Sequence, residues 1–112
     1  MAEYILVLVS CPVKSARSIA KKLLAERLAA CVNITTLESH YWWKGKIETS
    51  REKLLLIKTR SSLFPSLERM IKSVHPYEVP EIIALPIKFA HAPYLKWIHE
   101  ETSRDRARLT HT

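Results

Sequence analysis

The 112-residue sequence contains one glycine, Gly45, and only two cysteines, Cys11 and Cys31. With one glycine and six prolines, the chain has no flexible linker or low-complexity segment. The two cysteines match no CxxC metal or redox motif. No stretch approaches the roughly 20 apolar residues that a membrane-spanning helix needs. These absences predict a single domain without a membrane partner, and the length agrees with that prediction.

The N-terminus also lacks the pattern of a signal peptide. The apolar run at residues 4–9 is short, and it follows Glu3 rather than a basic segment. We therefore predict a cytoplasmic protein in which both cysteines are thiols. The chain carries a formal net charge of +7, which is compatible with an anionic partner but also with simple solubility.

The most informative segment is a long apolar and aromatic stretch around the single glycine. Residues 31–43 and 47–59 are rich in Val, Ile, Leu, Thr and aromatic side chains and contain no proline, which predicts two strands. Gly45 between them provides the positive φ that a tight hairpin turn usually requires. Each arm is about twice as long as a typical strand. We therefore expect the hairpin end, with Tyr41, Trp42 and Trp43, to project beyond the domain and pack on another copy of the chain.

The remaining segments alternate strand and helix signals. Residues 4–10 predict a first strand, and apolar residues spaced three and four apart predict a first helix with Ala16, Ile19, Ala20, Leu23 and Leu24 on its buried face. A second helix is expected after Ser61 or Ser62 as N-cap, ending at His75-Pro76. Its buried face should consist of Leu63, Leu67, Met70, Ile71 and Val74. Residues 81–89 predict the last strand and 93–101 a terminal helix.

This order predicts an α+β, ferredoxin-like βαββαβ sandwich with an additional C-terminal helix. We assign residues 1–102 to one domain and 103–112 to a polar, basic tail. In the usual strand order, four-one-three-two, the helices cover one face of the sheet. The strands at 5–9, 54–57 and 82–85 are nearly continuous apolar runs, although a half-solvated sheet should alternate. Both faces should thus be covered, which predicts an oligomer formed through the open face.

Several separated motifs, taken together, resemble one family. They are residues 27–34 (RLAACVNI), 41–47 (YWWKGKI), 55–59 (LLIKT), 75–82 (HPYEVPEI), 85–87 (LPI) and 94–98 (YLKWI). In this order they are similar to the CutA family of divalent-cation tolerance proteins, over residues 4 to about 101. The resemblance implies a compact homotrimer related in architecture to the PII signalling proteins, with binding of copper or other divalent metal ions. The sequence departs from the family at Ala90, where many members have glycine, and at Val74, where some have a second histidine.

The predicted strand order also brings candidate metal ligands together. The fourth strand runs antiparallel to the first, so Cys11 should lie near His75, Tyr77 and Glu81. A thiol, an imidazole and a carboxylate suit copper or zinc, and the thiolate favours reduced copper. We therefore name Cys11, His75 and Glu81 as candidate metal ligands. Each has an alternative interpretation: a small buried side chain, a helix stop, and the partner of a nearby base, respectively.

Three classes of function follow. The first is a trimeric metal-binding or metal-response protein without catalysis. The second is a PII-like sensor of a small anionic ligand held at a subunit boundary by groups such as Lys44, Lys46, Lys58 and Arg60. The third is an enzyme or a nucleic-acid module. The chain has no glycine-rich phosphate loop and no nucleophile-base motif, and its central strand lacks the aromatics that stack bases in RRM sheets, so we predict neither catalysis nor nucleic-acid binding.

Overall fold

A computed structural model describes residues 3–103 as four strands and three helices. The strands are β1 (Tyr4–Cys11), β2 (Cys31–Trp43), β3 (Lys46–Arg60) and β4 (Ile82–Pro86), and the helices are α1 (Ala16–Ala25), α2 (Phe64–Val74) and α3 (Ala92–Ser103). The sheet is antiparallel in the order β2-β3-β1-β4. This is the predicted ferredoxin-like βαββαβ arrangement with a long hairpin and a C-terminal helix. Of the predicted tail, only Ser103 is described, as the last residue of α3, and residues 104–112 lie outside the described range.

One face of the sheet carries the hydrophobic core, because alternate residues of a strand point to the same side. Val7 and Val9 of β1 and Leu55 and Ile57 of β3 are completely buried. They form one cluster with residues of α1 and α2, among them Leu23. The two helices therefore cover this face, and the core lies between them and the two central strands.

The opposite face of the sheet is apolar but only partly covered. Leu6 and Leu8 of β1 and the side chains of Leu54 and Leu56 on β3 are half-buried, while on β4 Ile83 and Leu85 are exposed. The register aligns Leu8 with Leu56 and Leu6 with Leu85, so these residues form one surface. We call this surface the open face, and it consists of Leu6, Leu8, Leu54, Leu56, Ile83 and Leu85.

Helix α3 is attached at one end of the sheet. Arg60, the last residue of β3, donates from Nε to Thr102 Oγ1 at 2.8 Å and from a terminal nitrogen to the Thr102 carbonyl. Arg27 forms an ion pair with Glu101 at 2.9 Å. Ile98 is completely buried and lies outside the main core cluster. The helix is thus fixed by both polar and apolar contacts.

The hairpin projects as predicted. β1 pairs with β3 only from Arg60 to Lys53, whereas β2 and β3 remain paired out to Trp43 and Lys46. Seven residue pairs therefore extend beyond β1, about 23 Å at 3.3 Å per residue. Gly45 has φ +78° and Lys44 has φ +50°, as a two-residue type I′ turn demands. The positive φ at Lys44 was not predicted.

The structure differs from the sequence prediction at two side chains of the helices, at the start of α2 and at the end of β4. Leu24 of α1 and Val74 of α2 are 40% and 39% exposed, because each lies at the edge of its apolar stripe. Neither Ser61 nor Ser62 caps α2, since they belong to a short 3₁₀ turn that precedes it and the N-cap residue is Leu63. β4 ends at Pro86 rather than at residue 89, because proline cannot donate to the strand ladder.

Candidate functional site

The candidate site lies where β1 ends and β4 begins. Val9 pairs with Ile82, so Ser10 and Cys11 continue beyond the paired part of β4. His75 follows α2 with an extended backbone, because a residue that precedes proline is disfavoured in the helical region. Residues 76–81 then cross this end of the sheet before β4 starts. The predicted meeting of the first and fourth strands is therefore present.

His75 is a buried and fully engaged side chain. Its Nε2 lies 2.8 Å from the carbonyl oxygen of Ser10, and the backbone N–H of Tyr77 donates to its Nδ1 at 3.0 Å. A carbonyl can only accept and a backbone N–H can only donate, so these partners assign the neutral ring with hydrogen on Nε2. Both ring nitrogens are in use, and a metal ion would have to displace one of these partners.

Cys11 belongs to the core rather than to an open site. Its side chain is completely buried and is part of the core cluster. Burial raises the pKa of the Cys11 thiol, and the negative charge of Glu52 raises it further. The thiolate that a metal ion needs is thus disfavoured in the isolated subunit. Cys31 is half-buried and also free, in agreement with the prediction that the two cysteines do not pair.

Glu81, the third candidate ligand, is exposed and accepts a long hydrogen bond of 3.4 Å from the Ser10 hydroxyl. Ser10 therefore contacts both His75, through its carbonyl, and Glu81, through its side chain. Even so, within residues 3–103 no three His, Cys, Asp or Glu side chains are grouped closely enough to hold a metal ion. The three predicted ligands lie at the same end of the sheet, but a subunit does not present them as a preassembled metal site.

Beside these residues lies a cavity of about 770 Å³. Its walls come from the end of β1, the projecting part of the hairpin and the segment that joins α2 to β4. Three carboxylates line it: Glu52, Glu78 and Glu81. Three aromatic residues line it as well: Tyr41, Trp43 and Tyr77. In the part of the chain that the structure describes, no lysine or arginine lines this cavity, although the whole chain has a net charge of +7. We call it the acidic pocket.

Glu52 and Tyr77 form a contact that the sequence analysis missed. The Tyr77 hydroxyl donates to Glu52 Oε2 at 2.8 Å, and Glu52 is only 5% exposed. Glu52 lies between Arg51 and Lys53, so in sequence it is typical of a solvated strand position. The two-residue spacing of Glu52, Leu54 and Leu56 places them on the same face of the strand. This spacing is the signal from which the burial of Glu52 could have been predicted.

We expect the Tyr77 hydroxyl to lose its proton only at unusually high pH. Burial raises the pKa of Tyr77 to about 12, and the hydrogen bond to Glu52 and the charge of Glu52 contribute in the same direction. The folded pKa lies above the ordinary value of 10, so the stability from this contact is complete below pH 10 and is lost as the pH rises through 12. The phenolate absorbance of wild type minus that of Tyr77→Phe, followed in an ultraviolet pH titration, should rise with a midpoint near pH 12. The same comparison in a Glu52→Gln background should give a lower midpoint, and an unchanged midpoint would contradict the contact.

The four basic residues of the anion-sensor hypothesis do not form one site in a subunit. Lys44 and Lys46 lie at the hairpin turn, whereas Lys58 and Arg60 lie at the far end of β3. Twelve residues of strand separate Lys46 from Lys58, which is about 40 Å. Arg60 is bound to Thr102, and Lys58 is hydrogen-bonded to the side-chain oxygen of Asn33. The structure therefore does not favour this hypothesis.

The fold and the strand order define a ferredoxin-like α+β protein with a projecting hairpin. The family model of the CutA1 divalent ion tolerance proteins matches residues 5–101, so the chain belongs to this family. The predicted resemblance is thereby confirmed.

Individual relatives agree with this assignment. The chain is 53% identical over 96 residues to "Protein CutA" of Mus musculus, covering 84% of this chain and 54% of the mouse protein. It is 50% identical over 98 residues to "Divalent-cation tolerance protein CutA" of Thermus thermophilus, covering 86% of this chain and 95% of the relative. The chain thus spans about half the length of the mammalian relatives but nearly all of the bacterial one.

Solved structures show the same fold. A crystal structure of CutA1 from Oryza sativa superposes with a TM-score of 0.88 at 44% identity, over 93% of this chain and 97% of that one. A structure of the periplasmic divalent cation tolerance protein CutA from Archaeoglobus fulgidus gives a TM-score of 0.88 at 39% identity, over 89% and 99%. Separately, none of the helices within residues 3–103 is long and apolar enough to cross a membrane.

Proposed function

We propose that the chain is a homotrimeric, cytoplasmic protein of divalent-cation tolerance that binds copper or other divalent metal ions without catalysing a reaction. The observation that carries the cation-binding part is the charge of the acidic pocket, which has three carboxylates and no lysine or arginine among the described lining residues. In a chain of net charge +7, this local reversal of sign attracts cations to one place. Membership in a family named for divalent ion tolerance supports the same proposal.

We place metal binding at Cys11, His75 and Glu81, of which Glu81 also lines the acidic pocket and the other two lie beside it. Binding there requires that the Cys11 thiol lose its proton and that His75 give up Ser10 or Tyr77 as a partner. Both requirements oppose binding in the isolated subunit. Metal affinity should therefore depend strongly on pH and on local opening of residues 76–81.

The trimer is supported by two surfaces of the subunit. The open face presents Leu6, Leu8, Leu54 and Leu56 half-buried, with Ile83 47% exposed. The projecting hairpin presents Trp42, 73% exposed, together with Trp43 and Ile47. Contiguous apolar surfaces of this kind mark interaction sites. Copies of the same chain that cover both surfaces would account for the nearly continuous apolar strands.

Native mass spectrometry with and without added reduced copper tests both parts of this proposal. We expect a mass of three subunits at micromolar concentration and the uptake of up to one copper ion per subunit. A monomer mass would overturn the assembly. A trimer without copper uptake would overturn copper binding and leave the assembly in place.

A variant at Cys11 tests the metal ligands directly. Serine keeps the volume of the side chain but removes the soft sulfur donor, so Cys11→Ser should weaken binding of reduced copper at least tenfold and leave magnesium unaffected. His75→Ala should have the smaller effect, because residue 74 is valine and does not supply a second histidine. Because burial and the charge of Glu52 raise the pKa of Cys11, copper binding should strengthen with rising pH. Indistinguishable anaerobic calorimetric titrations of wild type and Cys11→Ser would mean that Cys11 is a packing residue.

A further inference from the structure

The acidic pocket has a composition that a bare metal ion does not need. Tyr41, Trp43 and Tyr77 line it together with the three carboxylates. Aromatic faces attract organic cations through the ring quadrupole and also pack against methylene groups. A site for a metal ion alone would instead require several donors around one point, and the three carboxylates of the pocket are not grouped in this way.

Glu52 gives the pocket a second, independent indication of a cationic ligand. Its side chain is 5% exposed, lines the pocket and, within residues 3–103, forms no ion pair with lysine or arginine. Its hydrogen-bond partner there is the neutral hydroxyl of Tyr77. Burying a carboxylate is costly unless a cation compensates it. A ligand with a positive charge would supply the missing counter-charge.

The other polar groups of the pocket leave room for such a ligand. His40 is already engaged, with Nε2 2.8 Å from Glu38 and Nδ1 3.0 Å from the Thr49 hydroxyl. Its two ring nitrogens therefore bind Glu38 and Thr49 rather than the carboxylates of the pocket. Glu78 is exposed, and Glu81 accepts, within residues 3–103, the long hydrogen bond from Ser10, so each can receive N–H donors from a ligand.

We propose that the acidic pocket binds an aliphatic polyamine, with its ammonium groups on Glu52, Glu78 and Glu81 and its methylene groups against Tyr41, Trp43 and Tyr77. The volume of about 770 Å³ is in the usual range for small-molecule sites, roughly 300–1,000 Å³. A polyamine carries several ammonium groups and can bind several carboxylates at once, whereas a monoamine can neutralise only one. The inference shares the acidic pocket with the proposed function but does not use Cys11 or His75.

Calorimetry and tryptophan fluorescence of the full chain with spermidine, in the presence of a chelator, test this proposal. We expect saturable binding with a change in fluorescence, since Trp43 lines the pocket. Glu78→Gln, at an exposed position, should weaken binding about tenfold without affecting the fold. Glu52→Gln should weaken it at least as much while keeping an acceptor for Tyr77. Trp43→Leu should lower both the affinity and the fluorescence response.

Two control variants separate the pocket from general charge and hydrophobicity. Trp42→Leu changes the neighbouring aromatic residue, which points to the other side of the strand. Glu68→Gln removes a carboxylate of α2, which does not line the pocket. Both variants should bind spermidine like wild type. Hexanediol, which has the methylene chain without charge, should not bind. No saturable response to spermidine, or wild-type affinity in both Glu52→Gln and Glu78→Gln, would overturn the polyamine site. Binding of tetramethylammonium in preference to spermidine would overturn it as well.

A parallel titration with reduced copper distinguishes this inference from the proposed function. Spermidine binding without copper binding overturns the copper part of the proposed function and supports the polyamine site. Copper binding without spermidine binding overturns the polyamine site alone. If trimer contacts fill the pocket, spermidine will not bind the wild-type trimer, and the inference fails.

Discussion

Replacing residues 41–48 by the dipeptide Asn-Gly is expected to convert the proposed trimer into monomers while the subunit keeps its sheet and helices. The dipeptide favours the type I′ turn and would close the hairpin between His40 and Thr49, which are already paired. The deleted residues contribute nothing to the core cluster. Of their aromatic side chains, Trp42 is the most exposed in the subunit, at 73%, and neighbouring copies should bury it.

Light scattering after size-exclusion chromatography gives the subunit number of this variant, and far-ultraviolet circular dichroism reports its secondary structure. Trp43→Ala is the milder form of the same test and should weaken assembly without abolishing it. Lys14→Ala, on the exposed surface before α1, is a suitable control. If the shortened chain remains trimeric and as resistant to heat as the parent, the projecting hairpin is not an interface.

Leu55→Ala should lower the free energy of unfolding by about 2–5 kcal/mol. Leu55 is completely buried in the central strand β3, and truncation there removes apolar contacts and leaves a cavity. Chemical denaturation of the monomeric hairpin variant measures this loss without a contribution from subunit dissociation. A loss below about 1 kcal/mol would contradict the central place of Leu55 in the core.

Leu56→Ala is the matched comparison, since it removes the same atoms from the other side of the same strand. In the monomeric variant Leu56 is half-buried, so its loss should cost less than that of Leu55. In the full-length trimer the cost should rise, provided that the open face is covered by other copies. Equal costs in the two backgrounds would show that assembly leaves the open face uncovered.

The sequence allowed most of the fold to be predicted, because local signals and tertiary packing agree in most segments. Gly45 defines the hairpin turn, and His75-Pro76 defines the end of α2. The failures occur where the local signal is ambiguous. Ser61 and Ser62 are good cap residues by type, but the chain forms a 3₁₀ turn there and starts α2 afterwards. Leu24 and Val74 fit the apolar periodicity of their helices and are nevertheless exposed.

The candidate site was less predictable than the fold. Strand order alone placed Cys11, His75 and Glu81 at one end of the sheet. It did not specify that Cys11 is buried, nor that both nitrogens of His75 are hydrogen-bonded. The contact between Glu52 and Tyr77 depends on the path of residues 76–81 over the end of the sheet. Neither composition nor periodicity contains information on that path.

The long hairpin also has a consequence for the order of folding. Trp43 and Lys46 are three residues apart in the chain, whereas Tyr4 pairs with Arg60, 56 positions later. Hairpins form within about 1–10 μs, whereas contacts between distant segments form more slowly. In a newly made chain the hairpin therefore forms before the core. Trp42, Trp43 and Ile47 are then exposed before any folded copy of the chain can cover them. The lysines at the turn, Lys44 and Lys46, keep such early hairpins apart by charge repulsion.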